Sequence, residues 1–246
     1  MRMAVFGDIH GNLPALDAAL ADMARQPFDA VYCLGDLVGY GASPEQVVQR
    51  IHASGIPTIM GNYDDGVGFD RDECGCGYRD PTDEALGHRS LEWTKRHTSD
   101  ESKAFLRTLH TDIRLTAGST RVLLVHGSPR RMNEYLFEDR PLSSFQRLAA
   151  SSNADVIVFG HTHKPYVKHV DGVLFVNAGS VGKPKDLDWR ACYAMLDLSG
   201  TPSVVFTRVE YDVRAAAAAI RATDLPHEFA MDVETGGAPR VQVARP

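Results

Sequence analysis

The chain has 246 residues, 43% of them hydrophobic and 24% charged, with a formal net charge of −6. That length suffices to bury a sizeable core, and the composition excludes a disordered or fibrous chain. The acidic balance argues against a general nucleic-acid binder that works by neutralising phosphates.

The opening MRMAVFGDIHG carries Arg2 and then Asp8, which leaves no apolar core for a signal peptide. No run reaches the roughly 20 apolar residues that a membrane helix needs. The chain is therefore expected to be cytoplasmic, with its four cysteines, Cys33, Cys74, Cys76 and Cys192, reduced. Cys33 lies in an apolar run and is read as a core residue. Cys74 and Cys76, in DECGCGY, are read as part of a flexible Gly-rich loop, with pocket lining or metal binding as the alternatives.

RMAVF is a strand, followed by a helix with Leu13, Leu16, Leu20 and Met23 on one face, Asn12 as its N-cap and Pro14 in its first turn. DAVYCL is a second strand, SPEQVVQRIHAS a helix opened by Ser43 and Pro44, and PTIM a third strand. This alternation implies right-handed parallel crossovers and a sheet with helices packed on it. From Tyr63 to His110 the rhythm breaks. A Gly- and Asp-rich loop is followed by one helix through Leu86 and Trp93, and by another through Phe105, Leu106 and Leu109. The second helix opens with Thr98 and Glu101 at capping-box spacing. Residues 63–110 are read as a partly helical insertion over the sheet edge.

DIRLT and TRVLLVHG then form a hairpin, PLSSFQRLAAS a helix, and ADVIVFGHTH a strand running into a histidine pair. YVKHV and VLFVN turn at Asp171 and Gly172, and ACYAMLDL and SVVFTRVEY turn around Gly200. An Ala-rich helix over residues 213–221 precedes a polar tail at 223–246. The whole of 1–246 is read as one domain.

Five polar clusters fall just after these expected strands: GDIHG with Asp8 and His10, GDLVGYG with Asp36, GNYDD with Asn62, HGSP with His126, and GHTH with His161 and His163. In an open α/β sheet the carboxyl ends of parallel strands line the binding crevice, so the clusters converge. Each alone has a plain reading, as a helix cap or a satisfied core histidine; their joint occurrence does not. Two Asp, four His and one Asn suit Mn, Fe, Zn or Ni. Seven ligands are too many for one ion, and a bridging carboxylate, most naturally Asp36, would hold two cations about 3.5 to 4 Å apart.

The ordered set GDxHG, GD, GN, HG and GHTH, spanning residues 7–163 and followed by NAGSVGKP, resembles the calcineurin-like metallophosphoesterase family, in particular its small bacterial and archaeal phosphodiesterase branch. The resemblance implies an α/β fold, a four-layer α-β-β-α sandwich of two mixed sheets with helices on the outer faces. It also implies Asp8, His10 and His163 on one metal, Asn62, His126 and His161 on a second, and Asp36 on both. The implied activity is hydrolysis of a small or nucleotide-like phosphodiester by metal-activated hydroxide. A phosphomonoesterase, a protein phosphatase, a dinucleoside polyphosphate hydrolase and a non-catalytic interaction scaffold are the alternatives.

Two clusters depart from the family pattern. Gly39 and Tyr40 stand where phosphoprotein phosphatases carry Asp and Arg, which leaves Arg130, Arg131, Lys183 and Lys185 as possible phosphate contacts. Tyr63 occupies the place of the family's acidic histidine after GN. As a phenol it is a weaker acid, and it is read as a catalytic or substrate-positioning group, a stacking surface for a base, or a plug above the metals.

Overall fold

The computed structural model describes residues 1–78 and 80–239. In chain order the elements are β1 (Arg2–Phe6), α1 (Leu13–Met23), β2 (Ala30–Cys33), α2 (Pro44–Ser54), α3 (Asn62–Gly68), α4 (Pro81–Arg96), α5 (Asp100–Thr108), β3 (Asp112–Ala117), β4 (Thr120–Val125), α6 (Leu142–Ser152), β5 (Val156–Phe159), β6 (Tyr166–Val170), β7 (Val173–Asn177), β8 (Ala191–Asp197), β9 (Ser203–Val209), α7 (Val213–Arg221) and α8 (His227–Thr235). One sheet has the order β2-β1-β8-β9 and the other β3-β4-β5-β7-β6. Both are mixed: β1 pairs parallel with β2 and antiparallel with β8, and β4 pairs parallel with β5 and antiparallel with β3.

Side-chain alternation along the strands builds the layers. Met3 and Val5 of β1 pack with Val122 and Leu124 of β4 and with Val156 and Val158 of β5, so these faces meet between the two sheets. The intervening Ala4 and Phe6 pack outward against Leu16 and Ala19 of α1 and Val47 and Ile51 of α2. On the far side, Leu123, Ile157 and Phe175 pack outward against Phe145 and Leu148 of α6. The period-two pattern of a strand thus serves two interfaces at once. Local signals behave as expected at α1, where the Asn12 side chain accepts a hydrogen bond from the Ala15 amide.

Several expectations need correction. PTIM is not a strand: Thr58 and Ile59 make only isolated bridges, to Cys33 and His110, because the chain turns at Gly61 into α3. The expected Gly- and Asp-rich loop therefore starts with a helix, Asn62–Gly68, held by Asp64, whose carboxylate accepts the Gly61 amide proton. The cap of α5 is Ser99 rather than Thr98, since the Thr98 hydroxyl donates to the Thr94 carbonyl and Ser99 Oγ is left to accept the Ser102 amide. The tail is not uniformly polar: α8 packs Phe229, Ala230 and Val233 against α7 and against Leu86 and Trp93 of α4. The rest of that tail, from residue 240, lies outside the described residues. Cys74 and Cys76 are joined by a disulfide rather than reduced, with Gly75 at φ +65° bringing their Cα atoms to 5.4 Å. Cys33 and Cys192 are free and buried. No helix among the described residues is long and apolar enough to cross a membrane.

Candidate metal centre

Asp8 and His10 follow β1, Asp36 follows β2, His126 follows β4, and His161 and His163 follow β5. Four strand ends, two from each sheet, therefore deliver six of the seven side chains, and Asn62 comes from the first position of α3. Asp8, His10, Asp36, His161 and His163 have φ of +50°, +49°, +51°, +64° and +60°. Side chains avoid this left-handed region, at a cost on the order of 1–3 kcal/mol each, unless the surroundings impose it. Here the backbone imposes it: the Ile9 and His10 amides both donate to the Asp36 carbonyl, at 2.9 Å each. The Asp8 carbonyl accepts from Ser180 Oγ at 2.7 Å and from the Gly182 amide at 3.0 Å, which is the part that NAGSVGKP plays.

The side chains form two buried triads, Asp8 with His10 and His163, and Asp36 with His126 and His161. Asp36 Oδ2 lies 3.6 Å from His10 Nε2 and 3.4 Å from His126 Nε2, between the triads. Asn62 Oδ1 is 3.1 Å from His126 Nε2. His10, His126 and His163 each direct Nδ1 at a backbone carbonyl, of Val38, Leu34 and Lys183 respectively. A neutral imidazole that donates from Nδ1 keeps Nε2 bare, which orients it as a metal ligand. His10 and His163 then aim two Nε2 atoms at each other across 3.1 Å. Asp8 Oδ1 and His161 Nε2 are buried with no hydrogen-bond partner. Buried polar atoms are costly when unmatched, and a cation in each triad satisfies this set. The donors fit divalent metals.

Burial drives the His10 pKa down to about 3 despite the pull of Asp36, and drives His161 and His163 well below the usual imidazole range. Those rings are neutral and ready to coordinate. Burial also opposes charge on His126, but Asp36 and Asp8 outweigh it and push the pKa up to about 10. A metal there displaces that proton, so binding releases it.

Beneath the triads Asp64, fully buried, accepts the amide protons of Asp36, Leu37 and Gly61 at 2.7, 2.9 and 2.9 Å. Asp36 Oδ1 in turn accepts the Tyr63 amide, which leaves Oδ2 to face the triads. Backbone passes so close that two glycines are required: a Cβ at Gly61 would sit 2.1 Å from Asp36 Oδ1, and one at Gly160 would sit 2.4 Å from Asp8 Oδ2.

Residues 1–201 match the calcineurin-like phosphoesterase superfamily domain. The chain belongs to that superfamily. It is similar to the uncharacterized protein MJ0912 of Methanocaldococcus jannaschii, 32% identical over 91% of this chain and 93% of the relative. It is also similar to phosphodiesterase YfcE of Escherichia coli K12, 26% identical over 80% of this chain and 88% of the relative. A solved metallophosphoesterase from Sphaerobacter thermophilus superposes with a TM-score of 0.75 at 28% identity, covering 96% of this chain and 99% of its own. PH1004 of Pyrococcus horikoshii, at 23% identity, shares the fold with a TM-score of 0.82 over 97% of this chain and 99% of its own. A calcineurin-like phosphoesterase of this kind is a metal-dependent hydrolase of phosphoric esters.

The positions where this phosphoesterase departs from its family pattern fall into place differently from expectation. Tyr63 is 1% exposed, its ring packed on Tyr40 at 4.7 Å and edge-on to His10 at 5.6 Å. Its hydroxyl faces Ser90 and Tyr40 inside the core, in no geometry that makes a hydrogen bond. The phenol is thus buried in the core, and burial holds its pKa well above the usual value. Arg130, an expected phosphate contact, is paired with Glu134, and Lys183 is buried against Asp232 at 2.6 Å. Arg131 is exposed. Lys185 has no ion pair among the described residues, and its charge acts on His161, His163, Asp8 and Asp36. Burial and Lys183 lower its pKa to about 8, so it remains a cation at neutral pH.

Sequence reasoning missed the cover over the second triad. Tyr135 lies tilted against the His161 ring with centroids 4.0 Å apart, and the Asn62 side-chain amide donates to the Cys74 carbonyl at 3.0 Å and to Cys76 Sγ at 3.2 Å. Nothing in MNEYLFED carries a motif that would have singled Tyr135 out.

Proposed function

We propose that the chain is a dinuclear phosphodiesterase acting on a small or nucleotide-like phosphoester, in the cytoplasm, with Mn, Fe, Zn or Ni as its metals. In this reading Asp8, His10 and His163 hold one ion, Asn62, His126 and His161 the other, and Asp36 both. The observation that carries it is the position of Asp36 Oδ2, within 3.6 Å of an Nε2 from each triad, as a shared carboxylate requires. The likeness to phosphodiesterase YfcE supports the diester as substrate.

Bound cations supply Lewis-acid charge for the phosphoryl oxygens and make water acidic enough to provide hydroxide near neutral pH. The protein's own contribution is placement. The strained strand ends set the ligands before substrate arrives, so little reorganisation is left for the reaction. Lys185, with no ion pair among the described residues and close enough for its charge to act on Asp8 and Asp36, would neutralise a phosphoryl oxygen as a point charge. Tyr63 drops out of the reaction except through its backbone amide, which orients Asp36.

Elemental analysis of the purified protein, followed by turnover of bis(para-nitrophenyl) phosphate, para-nitrophenyl phosphate and a dinucleoside polyphosphate with added Mn, tests this reading. Two divalent ions per chain and fastest turnover of the diester are expected. Turnover confined to the monoester overturns the diesterase assignment. Bound metal without hydrolysis of any ester favours the interaction scaffold instead.

A further inference from the structure

The family match ends at residue 201, yet the chain beyond it reaches the first triad. α8 is followed by Gly236 at φ +65°, whose carbonyl accepts the Leu187 amide proton at 2.9 Å. A Cβ on Gly237 would sit 3.0 Å from the Pro184 carbonyl oxygen and from Lys185 Cα, so the end of the helix lies directly on residues 184–187.

Beside that contact is a buried ion pair. Lys183 Nζ donates to Asp232 Oδ2 of α8 at 2.6 Å, and the two residues are 5% and 6% exposed. Lys183 in turn is joined to every member of the first triad. His163 directs Nδ1 at the Lys183 carbonyl, 2.6 Å away, and a contact of that kind sets the orientation of a ligating imidazole. The Lys183 ammonium lies 4.8 Å over the ring of Tyr40, which packs edge-on against His10 at 4.9 Å. The Lys183 amide donates to Ser180 Oγ, which donates to the Asp8 carbonyl. In the second triad His126 leans on the Leu34 carbonyl instead.

Left without a counter-charge, a buried ammonium in this place would work against the triad, because like charges repel far more strongly in a protein interior than in water. Asp232 supplies that counter-charge and fixes the side chain in one position.

We infer that Asp232 is a positioning residue of the first metal site: by holding and neutralising Lys183 it fixes the carbonyl that orients His163, and so sets the affinity of Asp8, His10 and His163 for their ion. The inference rests on the dinuclear reading above. It gives α8 a part in the metal centre through an aspartate outside the ligand set.

Release of Mn from the Mn-loaded protein to a graded competing chelator, with the retained metal measured by elemental analysis, tests this without turnover. His163→Ala and His126→Ala assign each release step to its triad. Asp232→Asn keeps the shape of the side chain and removes its charge. We expect about 10-fold weaker Mn binding at the first triad, the low end for an outer partner of a metal ligand, and a change of less than about threefold at the second. A lone buried cation also costs stability, so a double variant, Asp232→Leu with Lys183→Met, replaces the pair by apolar groups, a change that is often neutral for folding. It should melt close to wild type and still bind Mn about 10-fold more weakly at the first triad. Equal weakening at both triads, or wild-type affinity at the first triad in either variant, overturns the role of Asp232 while the dinuclear reading stands. Wild type that holds fewer than two Mn ions overturns that reading, and this inference with it.

Discussion

The floor and the cover of the centre are built by different means. The floor consists of candidate metal ligands on strand ends, five of them at positive φ, locked by short backbone hydrogen bonds and by the buried Asp64. The cover consists of two loops, 69–78 with its Cys74–Cys76 link and 128–140 with its Glu134 cluster, held by side-chain contacts that are partly open to solvent. Rigid sheets suit a metal site, because ligand positions tolerate little error; loops suit the surface that meets a substrate, because they vary without disturbing the core. Damage to the floor should remove the reaction, whereas damage to the cover should change what the reaction prefers.

The largest effect is expected at the shared carboxylate. Asp36→Ala should lower kcat/KM on any phosphoester by more than about 100-fold, since even the outer partners of a metal ligand are worth roughly 10–100-fold. Elemental analysis of the variant should show lost metal, and full activity with both ions retained would refute the bridging role. Next comes the support beneath it. Asp64→Ala strands three buried amides, each worth about 1–3 kcal/mol, so at least about 3 kcal/mol of stability should go. For a chain of this size that is a fall of roughly 6–12 °C in melting temperature, readable by calorimetry. An unchanged melting temperature would mean that water reaches those amides.

The smallest effect belongs to the cover. Burial opposes ionisation of Glu134, yet Arg130, Ser128 and Arg140 outweigh it and hold the carboxyl below its usual range. A depressed folded value contributes stability that is complete above the unfolded pKa of about 4.3 and is lost as pH falls through the folded value. Wild type should therefore exceed Glu134→Gln by no more than about 1 kcal/mol at neutral pH, with the difference shrinking toward zero in acid. Urea midpoints of both proteins at neutral pH and in acid measure this; a gap that widened in acid would reverse the assigned sign.

Much of the floor was legible in the order of residues. Asp8, Asp36, Asn62 and His161 each follow a glycine at the end of an apolar run, His126 follows its apolar run directly, and Asn12, Asp171 and Gly172 mark their turns as local chemistry demands. Tyr63 was legible only as a departure, because sequence shows that a phenol replaces an imidazole but not which way it points. The Cys74–Cys76 link and the contact of Tyr135 with His161 join segments whose spacing carries no period.

By itself, then, the sequence determined the alternating strands, the α1 cap and the set of seven metal-type donors, since these rest on neighbours within a few residues. Tertiary structure decided that PTIM would not be a strand, that α8 would pack on α4 and α7, and that Tyr63 would be buried while Tyr135 covers the centre. Those outcomes depend on which distant surfaces have apolar area left to cover, and that is known only once the sheets have met.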